Sequence, residues 1–161
     1  MMPLIAIMIF VWTMSFYMDT TFLALSTENP IGILTFSFVH ISLLHLVINC
    51  IMLVSYWRLV RSLNMWKVIP IIVFSTLFAG LLSAKAEPTI GASALAMAIL
   101  GVGVSRMPKD YMISMIIVCV VTFAFAWLIM PNFNFGIHFY SFFVSFLISI
   151  TVGRCFSLQR L

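Results

Sequence analysis

The segment FSFVHISLLHLVINC, Phe36 to Cys50, is apolar enough to lie in a membrane, yet it holds two histidines and an asparagine. Each of these side chains costs free energy to remove from water unless a partner takes its hydrogen bonds. His40, His45 and Asn49 therefore mark either a polar site inside an apolar fold or interhelical hydrogen bonds, and their neighbours decide which.

The surrounding chain is of the same character. Of its 161 residues, 64% are apolar and 7% charged, with a mean hydropathy of +1.23, whereas a soluble domain is roughly half apolar and a quarter charged. That composition excludes a soluble domain. The length holds about six spans of roughly 20 residues with short connections and little beside them. The sequence thus predicts an all-α membrane protein, a six-transmembrane-helix bundle forming a single domain over 1–161. Apolar runs bounded by charge, Pro and Gly place the spans near 2–18, 38–57, 67–83, 91–105, 111–130 and 136–153. Helices of these lengths satisfy their own backbone groups in lipid. The opening run MMPLIAIMIFVWTMSFYM has no basic start and no clear small-residue cleavage site, so it is expected to stay as the first span.

Charge placement orients the bundle. Arg58, Arg61, Lys67, Arg106, Lys109, Arg154 and Arg160 fall on one side, and Lys85 alone of the eight basic residues falls on the other. The positive-inside rule puts the rich side, and both termini, in the cytoplasm. The net charge of +4 then reflects loop orientation, with the lipid bilayer as partner and no nucleic acid. Cys50, Cys119 and Cys155 are odd in number and far apart, and read as packing residues.

In that orientation spans 2, 4 and 6 all begin at the outer face. TIGASALAMAILG puts Ser93 in the first turn of span 4, and NFGIHFYSF puts His138 near the start of span 6. His40, His45 and Asn49 fall in the first turns of span 2. At roughly 1.5 Å of descent per residue these groups share one depth, and all three histidines of the chain are in that layer.

Ser93 and His138 could act together there, because a serine becomes a nucleophile when a neutral imidazole takes its proton. Close approach of spans 4 and 6 is favoured by small residues on one stripe of each: Ala94, Ala98, Gly101 and Ser105, facing Ser141, Ser145 and Ser149. The same stripes would equally serve as plain packing seams. No carboxylate lies inside a span, which leaves a Ser-His dyad without a third member. Gly91 permits a tight turn into the helix and a close backbone approach, and the helix N-terminal amides around Ser93 point at any negative charge formed there. His45 and Asn49, four apart, share a helix face and suit an oxyanion hole. His40 falls on the opposite side of a regular helix and reads as a structural neighbour. Zinc bound by His40, His45 and His138 is the alternative, but the histidine spacing of five and the lack of an acid depart from the usual helical zinc pattern.

His40, His45 and Asn49 in span 2, GASA over 91–94 opening span 4, and His138 after Gly136 together resemble the rhomboid family of intramembrane serine proteases, over spans 2 to 6. The resemblance implies that Ser93 is the nucleophile and His138 the general base. It gives His45 and Asn49 the oxyanion, with the Ser93 amide, and makes His40 a supporting residue. It further implies cleavage of transmembrane segments of other membrane proteins near the outer face, no metal or organic cofactor, and a multi-pass protein of a bacterial inner membrane. Three positions depart from the family pattern. Ile31 and Gly32 stand where a Trp-Arg pair is usual, Ala94 follows the serine in place of a glycine, and Met97 replaces a tyrosine that stacks on the histidine. A thioether can still contact an aromatic edge, so a less rigid imidazole is expected.

Two other readings stay open: a pseudoprotease that holds transmembrane clients without cutting them, and a small transporter or channel. The second normally needs acids or a broken helix at the midplane, which this chain lacks.

Overall fold

The computed structural model describes residues 1–129 and 134–157. Met130, the expected end of the fifth span, and Arg160 lie outside the described residues, as do the side chains of Arg154 and Cys155. Six α-helices occur among the described residues: α1 Met2–Met14, α2 Leu43–Val60, α3 Met65–Ser83, α4 Ser93–Val104, α5 Lys109–Ile129 and α6 Phe135–Ser157. Four of them, α2, α3, α5 and α6, are long and apolar enough to cross a membrane. The other two, α1 with 13 residues and α4 with 12, are shorter; twelve residues rise only about 18 Å against a hydrocarbon core of about 30 Å.

The shortness of α4 goes with its place. Ten of its twelve residues are buried, and it packs on α2, α3 and α6, so it is shielded from lipid by the helices around it. Its small side chains make this possible. A methyl on Gly101 would overlap the Ser145 hydroxyl and the Phe142 carbonyl of α6, and one turn further the Ser105 and Ser149 hydroxyls hydrogen-bond at 2.8 Å. On α2, Leu46, Leu53 and Val60 repeat every seven residues and face Ala92, Ala96, Ile99 and Val102. Lipid tails are as apolar as these side chains, so close packing rather than escape from water holds the seam together.

In contrast α5 is peripheral. Only 11% of Lys109–Ala126 is buried, against 39% of Met65–Ser83, and Ile117, Val118, Val121 and Phe125 are exposed. So continuous an apolar surface is unstable in water and suits acyl chains. The two free thiols among the described side chains sit within helices, Cys50 half-buried and Cys119 buried.

The connection from α1 to α2 is a knit structure rather than a plain loop. Short 3-10 turns run over Thr21–Leu23, Pro30–Leu34 and Phe36–Phe38. The amide and hydroxyl of Thr21 both donate to Asp19, holding its carboxyl below the usual range. Asn29 Nδ2 donates to the carbonyls of Phe22 at 2.6 Å and Ala24 at 2.9 Å, and Thr35 Oγ1 donates to Leu23 at 2.8 Å. Within this knot, Gly32 lies directly against the Ala24 carbonyl, where even a methyl would overlap. That contact explains one departure from the family pattern, since an arginine could not occupy position 32 without opening the connection. Ile31 beside it points outward, 76% exposed.

The same connection reaches the start of α4. Leu25 and Thr89 exchange both backbone hydrogen bonds, at 3.0 and 2.7 Å, Thr27 donates to the Lys85 carbonyl, and the Gly91 amide donates to the Phe36 carbonyl at 2.9 Å. The approach to Ser93 is thereby fixed on two sides.

Candidate active site

The first turn of α4 carries Ser93. Gly91 takes φ +105°, a backbone angle that costs little only for glycine, and turns the chain into the helix. Ala92 is the N-cap and supplies no side-chain hydrogen bond. The leading amides, those of Ser93 and Ala94 among them, thus lie where a helix has no carbonyl of its own to offer and carries partial positive charge.

From α6 comes His138. Asn134 caps that helix, its Oδ1 accepting from the Ile137 amide at 3.4 Å, which sets His138 at the top of the helix, one turn in. Nδ1 of His138 lies 2.8 Å from the Asn134 carbonyl oxygen, and Nε2 lies 2.7 Å from Ser93 Oγ. A carbonyl only accepts, so in the neutral imidazole Nδ1 carries the hydrogen and Nε2 presents its lone pair. The Ser93 hydroxyl then donates to Nε2. In serine hydrolases with a full triad a carboxylate orients the imidazole; here the main-chain oxygen of Asn134 occupies that place.

The opening segment supplies the third wall. Ser42 accepts from the His45 amide at 3.1 Å and caps α2, so the helix starts at Leu43 and not near 38. His40 therefore precedes the helix instead of lying in its first turn. Because that stretch is not helical, the helical-wheel separation of His40 from His45 does not apply: the two rings are neighbours, with centroids 5.0 Å apart. His40 is anchored by a 3.2 Å hydrogen bond between Nδ1 and the Phe38 carbonyl. His45 and Asn49 share one face and converge on Gly91. A Cβ built on Gly91 would stand 2.7 Å from both Cε1 and Nε2 of His45 and 3.7 Å from Nδ2 of Asn49. Asn49 is held by donating to the His45 carbonyl at 2.9 Å.

Three stretches of chain separated by more than forty residues thus meet at one end of the bundle, around the start of α4. Met97 is buried with Phe123, Phe142 and Phe146, and a ring that stands beside His138 is that of Phe123, with centroids 6.4 Å apart. Sequence reasoning missed Phe123, because its contact depends on how α5 leans on α6. It also missed Asn134, for which there was a signal: an asparagine four residues ahead of a histidine, at a place where an N-cap is favoured.

A bundle of apolar helices with a serine at the head of its central helix, bonded to an imidazole from its last, defines an integral membrane protein with a polar site at one end. The chain belongs to the rhomboid family: the family model of the Rhomboid domain matches residues 27–156. Comparison with curated proteins and with solved structures finds no match.

Proposed function

We propose that the protein is an intramembrane serine endopeptidase that cleaves transmembrane segments of other membrane proteins near the outer face. The 2.7 Å hydrogen bond between Ser93 Oγ and His138 Nε2 is the observation that carries this reading. Ser93 attacks the scissile carbonyl while His138 Nε2 takes its proton. The oxyanion forms where the Ser93 amide, His45 and Asn49 can donate to it, each donor being worth roughly 3 to 4 kcal/mol in the transition state. His138 returns the proton to the leaving amine. A water then attacks the acyl-enzyme, with His138 again as base, and releases the second fragment. The account needs no cofactor.

The setting is part of the proposal. The long apolar helices cross the bilayer around α4, which is shielded at the centre of the bundle, and the seven-to-one bias of basic residues supports cytoplasmic termini and an outward-facing site. A bacterial inner membrane fits this arrangement.

The experiment is reconstitution with a transmembrane substrate carrying small residues near its outer end. The wild type releases two fragments and Ser93→Ala none. A second reading, a pseudoprotease that only holds clients, draws on Ile31, Gly32 and Met97 in place of the usual family residues. It predicts equal client retention and no fragments from either protein.

A further inference from the structure

Asn134 is engaged through both ends of its side-chain amide and through its main-chain oxygen. Its side chain is buried at 8% exposure, and Nδ2 donates to the Ser83 carbonyl at the end of α3, 2.9 Å, and to Thr89 Oγ1 ahead of α4, 3.0 Å. Oδ1 caps α6, and the main-chain oxygen accepts from His138 Nδ1. Thr89 in turn is locked to Leu25 by two backbone bonds. One residue thus joins α3, the approach to α4, the α1–α2 connection and the imidazole.

We infer that Asn134 is the positioning residue of the site, its side chain pinning the main-chain carbonyl that fixes the tautomer and aim of His138. The inference rests on the protease reading for its consequence but not for its geometry. Without a buried carboxylate near the ring, the tautomer is set by whatever accepts from Nδ1. A carbonyl at the mouth of a helix stays in place only while the residue that bears it is held. A cap alone fixes the helix end. The two Nδ2 bonds fix where that end stands relative to α3 and α4, and so how Nε2 meets Ser93. Loss of them lets the carbonyl move, and Nδ1–H and Nε2–H forms then compete; the second has no lone pair for the Ser93 proton. Displacements of about 1 Å at reacting groups cost roughly 100-fold in rate.

The test uses the full chain in detergent micelles with 15N-labelled histidine, His138 being assigned by its loss in His138→Gln. The wild type is expected to show Nδ1 protonated and Nε2 bare, and Asn134→Ala a mixture of the two forms. Labelling by a fluorophosphonate is expected to slow about 100-fold in Asn134→Ala. Asn134→Ser restores a cap but is too short to reach Ser83 and Thr89, and is expected to stay slow; recovery to the wild-type rate would reduce Asn134 to a helix cap and overturn the inference. If Asn134→Ala does not fold, Thr89→Val decides, since it removes one bond without touching α6; a several-fold slower reaction supports the role, and an unchanged rate with an unchanged spectrum overturns it. A wild type with the fixed tautomer that never labels contradicts the protease reading while leaving the positioning of His138 supported.

Discussion

Gly91 and His45 meet as backbone against ring, with Cε1 and Nε2 of the imidazole both 2.7 Å from where a Cβ on Gly91 would stand. The positive φ of Gly91 adds a second reason against any side chain there. Gly91→Ala is therefore expected to strain the turn and push the His45 ring aside, costing about 1 to 3 kcal/mol of stability. Activity should fall further than stability explains. Thermal unfolding in micelles beside kcat/KM separates the two, and an alanine variant with full activity would show that the His45 ring is not held where the reaction needs it.

His45 and Asn49 belong to one function if they bind the oxyanion together. Replacing either by alanine removes a donor present in the transition state, so kcat should drop about 100-fold or more while KM changes little. Steady-state kinetics on a transmembrane substrate measures this. A rise in KM with kcat unchanged would assign the pair to substrate binding.

The hydrogen bond between Ser93 and His138 carries a pH dependence. Nε2 can accept the serine proton only as a neutral imidazole, so acid that protonates it removes the base. Activity should rise with pH as the ring gives up its proton and then level off. Activity that stays constant on acidification all the way to the pH at which the protein unfolds would remove His138 from the proton transfer.

Packing of α4 on α6 is testable apart from any chemistry. Gly101 touches Ser145 and the Phe142 carbonyl with no room for a methyl, and Gly101→Leu should separate the helices. Overpacking of this kind costs about 1 to 3 kcal/mol or more, read as a lower unfolding midpoint. An unchanged midpoint would mean the two helices do not meet at Gly101 as closely as described.

Much of this was legible in the residues themselves. Polar side chains are rare in apolar runs, so His45, Asn49, Ser93 and His138 stood out, and the alternation of apolar runs with charge and Pro marked six helices. Boundaries were harder. An apolar stretch looks the same whether or not it is helical, so the sequence alone extends α2 back past His40 and hides the Ser42 cap that starts the helix at Leu43. Apolarity alone carries the first span to residue 18, while α1 ends at Met14 and continues only as turns. Contacts between distant segments, such as Gly32 on Ala24, Asn134 on Ser83 and Phe123 beside His138, leave no periodic trace and emerge only when the helices are packed.

The most direct measurement is covalent labelling of the intact protein with a fluorophosphonate, mapped by peptide mass spectrometry. The account predicts one adduct, on Ser93, absent from Ser93→Ala and reduced at least 1,000-fold in rate in His138→Ala. Failure of the wild type to label under conditions where an active serine protease does, or an adduct on Ser93 that forms as fast without His138, would contradict it.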